Sequence, residues 1–111
     1  MRYDQGDIVL IPFPFTDLSQ TKKRPALVIS NSTANQSGDY LLMQITSKYS
    51  ADLCVKILLA DYEEERLPIQ SFVRINKIFC LNGSLIEKKI SSVTAGFSKR
   101  ITQEIIAIIK R

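Results

Sequence analysis

Two short stretches of the chain carry side chains able to handle a phosphate. Lys22-Lys23-Arg24 is a run of cations, and the following Pro25 restricts Arg24 to extended backbone. A guanidinium held at the start of a strand presents a fixed fork of donors and keeps its charge when desolvated, which suits it to clamp an oxyanion. Thr46-Ser47-Lys48 brings two hydroxyls and a cation to the close of a later strand. Such groups bond phosphate oxygens or orient a sugar hydroxyl. Each stretch also has a plain structural reading. Arg24 can be an exposed residue capping a strand end, and Thr46 to Lys48 are ordinary turn formers.

Much other chemistry is excluded. The chain contains no histidine, which removes the commonest general acid or base near neutral pH. With no histidine and no Cys-x-x-Cys pair, a four-ligand zinc site is not expected. No glycine-rich phosphate loop, Ser-His-Asp triad or carboxylate metal cluster is visible, so neither metal nor cofactor is expected. Cys54 and Cys80 each lie in an apolar run and read as buried thiols of a reducing compartment. Phe13 and Phe15 would stack on bases if exposed, but at least one of them reads as core.

The net charge of +4 is modest, and its distribution says more. Beyond the Lys22–Arg24 run, Arg74 and Lys77 open a C-terminal stretch in which lysine and arginine outnumber the carboxylates Glu87 and Glu104. Clustered positive charge suits a phosphate backbone, although a solvated surface explains any single cluster equally well. Residues 61–66, Asp-Tyr-Glu-Glu-Glu-Arg, form an acidic island that reads as a solvated loop or short helical turn and would repel a nucleic acid.

These residues need elements to position them. The 111 residues fit one domain, 1–111, with no repeat or linker. There is no apolar run long enough to cross a membrane as a helix, and the first residues lack the order of a signal peptide, so a cytoplasmic location is expected. Strands are predicted over 7–15, 25–30, 40–46, 54–59 and 71–81, with a sixth over 85–90. Pro12 and Pro14 remove N–H groups from one edge of the first strand, whose end should therefore leave the sheet or lie at its edge. Residues 16–23 and 31–39 read as loops. Only the tail has helical spacing, through Ile101, Ile105, Ile108 and Ile109, with Ser98 as a candidate N-cap. The fold class is mainly β with a C-terminal helix, a small β barrel.

Several blocks carry a resemblance. Gly6-Asp7-Ile8-Val9, Pro12-Phe13-Pro14-Phe15, Lys23-Arg24-Pro25-Ala26-Leu27-Val28-Ile29-Ser30, Gln44-Ile45-Thr46-Ser47 and the run from Ser71 to Ile78 resemble, in order and spacing, the MazF/PemK toxin family. The resemblance implies an SH3-like barrel forming a homodimer, metal-independent cleavage of single-stranded RNA at short motifs, and a cognate antitoxin protein that occupies the RNA groove. It puts the catalytic arginine at Arg24 and the catalytic threonine at Thr46. It also makes 16–23 a mobile loop closing over RNA, with Lys22, Lys23, Ser47, Lys48, Arg74 and Lys77 as RNA contacts. Where many relatives have Arg-Thr, this chain has Phe79-Cys80, losing a cation and a hydroxyl. A non-catalytic toxin on the same fold is the alternative. The gyrase-binding CcdB type needs a terminal Trp-Gly-Ile, whereas this chain has no tryptophan and ends Ile109-Lys110-Arg111. An inactive binding paralogue also stays open, although Arg24 and Thr46 occurring together argue against it.

Overall fold

The computed structural model describes residues 2–14, 21–49 and 52–111. Six strands form one antiparallel sheet: β1 (Asp7–Pro14), β2 (Thr21–Val28), β3 (Asp39–Thr46), β4 (Cys54–Lys56), β5 (Phe72–Asn82) and β6 (Lys88–Ser92). Their order is β4-β5-β3-β2-β1-β6. A short helix α1 (Ser32–Asn35) links β2 to β3, and α2 (Ala95–Ile109) follows β6. The two edge strands are brought into relation by the chain after β4. Tyr62 makes a bridge to Val93, and the Glu63 N–H donates to the Ser92 carbonyl at 2.9 Å. The result is the β-barrel-like fold with a terminal helix that the strand pattern predicts.

The central strands are apolar on both faces because both faces are covered. Ile8, Leu27, Met43, Ile45, Val73 and Ile75 pack with Phe97 and Ile101 of α2. On the other side Val9, Ile11, Ala26, Val28 and Leu42 are closed over by Tyr3, Tyr40 and Ile86. Tyr3 and Tyr40 meet edge to face at 5.7 Å, and the Tyr3 N–H donates to the Tyr40 hydroxyl at 3.2 Å. These cores hold the fold. Truncating a fully buried residue such as Ile8 to alanine costs about 2–5 kcal/mol, whereas the exposed ion pairs described below contribute little.

Several expectations change. The loop predicted over 16–23 is shorter, because Thr21, Lys22 and Lys23 pair with Pro14, Phe13 and Pro12 as the first residues of β2. Lys22 and Lys23 therefore belong to a strand, and Arg24 is its fourth residue, opposite Ile11. Phe15 and the rest of that loop, 16–20, lie outside the described residues. Residues 31–39 contain α1, capped by the Asn31 side chain, which accepts from the Ala34 N–H. The fourth strand stops at Lys56, and the sixth runs over 88–92 instead of 85–90. The N-cap of α2 is Thr94, whose hydroxyl accepts from the Phe97 N–H at 3.2 Å, while Ser98 is already inside the helix. Cys80 is exposed and Cys54 half-buried, so neither is the fully buried thiol predicted.

The proline reading of β1 agrees with the pairing. Strand β6 accompanies β1 only from Asp7 to Leu10, and Pro12 and Pro14 lie beyond its end, paired to β2 alone. At the start of the same strand Gly6 has φ +95°, and a Cβ there would meet the Ser98 hydroxyl oxygen at 3.0 Å. Its N–H donates to the Val28 carbonyl and its carbonyl accepts from Val93, so this turn ties β1 under α2.

Candidate active site

Strands β2 and β3 are paired through Ala26–Gln44, Leu27–Met43 and Val28–Leu42, and the ladder ends there. Pro25 is the next residue of β2, with no N–H to extend it. Beyond it, Arg24 lies two residues before Ala26 and Thr46 two residues after Gln44, and both line the space where the strands part. Between these strand ends, which stay paired to β1 and β5 but no longer to each other, opens a cleft of about 330 Å³. Its rim carries Lys22, Lys23, Arg24, Thr46, Ser47 and Ser71, while Pro25, Ile45, Leu67, Pro68, Ile69 and Ile90 supply apolar surface. Five of the sequence-derived candidates thus share one cleft: Lys22, Lys23, Arg24, Thr46 and Ser47. Among the described residues, no carboxylate lines it.

The hydroxyl of Thr46 is oriented by its own turn. Its Oγ1 accepts from the Lys48 N–H at 3.1 Å, which leaves the hydroxyl proton available to a ligand. Lys48 serves here through its backbone, and its side chain is exposed outside the cleft lining. Lys23 is engaged: its Nζ lies 2.6 Å from Glu87 Oε1. Arg24 is half-buried between its neighbours. Arg74 and Lys77 are placed elsewhere. Arg74 pairs with Cys54 of β4, half-buried and with its Nε lacking a hydrogen-bond partner, and Lys77 is exposed on β5 where the register with β3 shifts. Phe79 and Cys80 also lie outside the cleft lining.

The far wall, Leu67-Pro68-Ile69 and Ser71, was not legible as part of a site. The acidic segment before it is anchored to β6. Lys89 Nζ stands 2.6 Å from Glu64 Oε2 and 3.5 Å from Asp7 Oδ1, and the Ser92 hydroxyl donates to Glu64 at 2.9 Å. The hydrogen bond from Lys89 holds the Glu64 carboxyl below the ordinary carboxylate value, and Glu64 in turn raises Lys89. The Ser91 hydroxyl donates to the Glu65 carbonyl at 2.5 Å. Asp61 accepts from the Leu58 N–H at 2.8 Å. Part of the island's negative charge is therefore spent on the protein itself. Burial raises the Tyr62 phenol, against the lowering effect of hydrogen bonds with the Leu67 backbone and Ser71. Proline at 68 and an exposed isoleucine at 69 are the only local hints that this stretch forms a wall.

Comparison with known proteins agrees with this geometry. The profile of the PemK-like, MazF-like toxins of type II toxin-antitoxin systems matches residues 4–109. The chain belongs to this toxin family. Curated protein sequences return no match. Solved structures of low identity share the fold. MazF (Form-I) from Deinococcus radiodurans superposes with a TM-score of 0.76 at 19% identity, covering 100% of this chain and 99% of that one. The MazE-MazF complex (Form-II) from the same organism gives 0.77 at 20%, covering 96% and 95%. An endoribonuclease in complex with its cognate antitoxin from a Mycobacterial species gives 0.75 at 16%, covering 96% and 93%. The chain is thus a type II toxin by family, and its β fold is shared with solved MazF structures.

Proposed function

We propose that this toxin is a metal-independent endoribonuclease that cuts single-stranded RNA at short motifs in the cleft between the ends of β2 and β3. The observation that carries the reading is that Arg24 and Thr46 line one cleft where β2 and β3 part, with Lys22 and Lys23 alongside and no carboxylate among the described lining residues. In the reaction the ribose 2′-oxygen loses its proton and bonds to the adjacent phosphorus. The bond from phosphorus to the 5′-oxygen of the next nucleotide breaks, and that oxygen takes up a proton, leaving a 2′,3′-cyclic phosphate and a 5′-hydroxyl. Charge builds on the non-bridging oxygens on the way. A guanidinium stays protonated, so Arg24 acts by stabilising that charge, and the Thr46 hydroxyl donates to a phosphate oxygen. Lys22, Lys23 and Ser47 hold the flanking backbone. No step needs histidine.

The toxin is proposed to act in the cytoplasm as a homodimer, and to be held inactive by a cognate antitoxin seated in the same cleft. Among the described residues, no helix is long and apolar enough to cross a membrane. Two observations support association. Among the described residues, the β4 side of β5 has no strand partner from Asn76 to Asn82, and Ile78 and the neighbouring Leu41 of β3 are exposed. Neighbours of this fold have been solved with MazE or a cognate antitoxin bound.

The test is cleavage of a long single-stranded RNA by purified protein in EDTA, beside Arg24→Ala. Discrete fragments are expected from wild type, with a loss of about 10²–10³-fold or more in the variant and an unchanged circular-dichroism spectrum. Intact RNA after incubation with folded wild-type protein overturns the reading in favour of a binding module.

A further inference from the structure

A second cleft of about 340 Å³ lies on the other side of the Leu67-Pro68-Ile69 wall, so the two clefts share those three residues. Lys56 and Arg66 flank it, no carboxylate lines it among the described residues, and Leu58, Leu59 and Tyr62 supply apolar surface. The Tyr62 ring is held by the bridge to Val93 and by hydroxyl contacts with Leu67 and Ser71. Leu59 and Ile69 are 68% and 63% exposed, a large apolar area to leave in water beside two cations. Of the nearby acids, Asp61 and Glu64 are turned to partners within the protein, the Leu58 N–H and Lys89, while Glu63 and Glu65 are exposed outside the lining. The composition is that of a nucleotide subsite, with cations for the backbone and a rigid apolar surface for a base face.

We propose that this second cleft is a specificity subsite that takes a nucleotide flanking the scissile phosphate, the RNA strand crossing the Leu67-Pro68-Ile69 wall from one cleft to the other. The inference rests on the ribonuclease reading above. Lys56 and Arg66 contact phosphate there, and Leu58, Leu59 and Tyr62 receive the base. An acidic or apolar peptide would find some of the same groups, but the wall shared with the cleavage cleft favours a continuous strand.

The test uses a long transcript of mixed sequence and three proteins: wild type, Lys56→Gln/Arg66→Gln, and Leu59→Ser. All three substituted residues are exposed, so the fold is expected to survive, as thermal melting will show. The double variant should raise KM about tenfold with kcat nearly unchanged. The slope of log KM against log salt should shrink by about 1.4, at about 0.7 per single-strand phosphate contact. Leu59→Ser should relax base preference at one flanking position, read by sequencing product ends, while the cut itself continues. Wild-type cleavage with unchanged KM, salt slope and end profile in both variants overturns the subsite and leaves the ribonuclease reading standing. Unchanged RNA kinetics with weakened binding of the antitoxin assigns the cleft to the protein partner, and likewise overturns it. No cleavage by folded wild type removes the ribonuclease reading and the subsite together.

Discussion

Lys23 shows how a single contact can set the charge a cleft offers. Its ammonium belongs to the cationic rim, yet it is held 2.6 Å from Glu87, which reaches it from the segment before β6. Both side chains are well exposed, so the pair does little for stability, but it takes one cation away from an incoming phosphate. Glu87→Gln is therefore expected to tighten RNA binding by a few-fold and to steepen its salt dependence by about 0.7, one phosphate contact on a single strand. Binding of a cleavage-resistant RNA, measured over a salt series, checks this. An unchanged slope would mean that Lys23 meets no phosphate even when released. Thr46 teaches a related lesson. The neighbouring lysine that charge alone nominates contributes its backbone N–H, which orients the threonine hydroxyl.

Among the elements, the segment from Asp61 to Ile69 changes meaning most between sequence and structure. As a string it is an acidic island followed by a proline, and such a run reads as solvated loop. In the fold its beginning is fastened to β1 and β6 through Lys89, Asp7, Ser91 and Ser92, and its end becomes the wall between two clefts. The fastening has a defined pH range. Glu64 is lowered from the ordinary value of 4.5, so its contribution is complete above that value and lost as pH falls through the lowered one. Lys89 is raised from 10.5, so its contribution is complete below that value and lost only as pH rises through the raised one. Lys89→Met should lower the melting temperature by a similar amount throughout the neutral range, and the difference should shrink as pH falls below 4.5 and Glu64 takes up its proton. A difference that persists undiminished in acid would show that Lys89 acts through packing rather than through its charge. Because the wall belongs to the cleavage cleft, the same variant should also raise KM for RNA.

At the scale of the whole molecule, both faces of the central sheet are covered within one chain, but one edge is not. From Asn76 to Asn82, β5 outruns the short β4 and keeps an open side, with Ile78 and the adjacent Leu41 exposed. Open edges with apolar side chains invite pairing with another chain. The departure at Phe79-Cys80 falls on this stretch and outside the cleft lining. Ile78→Asp is expected to convert the proposed dimer to monomer in sedimentation velocity without unfolding it. A dimer that survives the substitution places the interface elsewhere.

The sequence by itself determined the six strands and the tail helix, though not the short α1, because apolar runs and alternation follow from which faces are buried, and the tail helix from its 3.6-residue spacing. It also singled out Arg24 and Thr46, since Pro25 beside one and the turn after the other are local chemistry. Boundaries resisted, because they depend on partners: Thr21 to Lys23 join β2 only because β1 continues opposite them, and Thr94 caps α2 only where β6 lets go. Register was likewise out of reach, since pairing is a long-range choice among strands of similar composition. That choice brings Arg24 and Thr46 into one cleft, leaves Arg74 and Lys77 outside its lining, and makes the stretch after the acidic loop its wall. Tertiary structure decided the site because a cleft is made by residues distant along the chain, and no local pattern records which of them will meet.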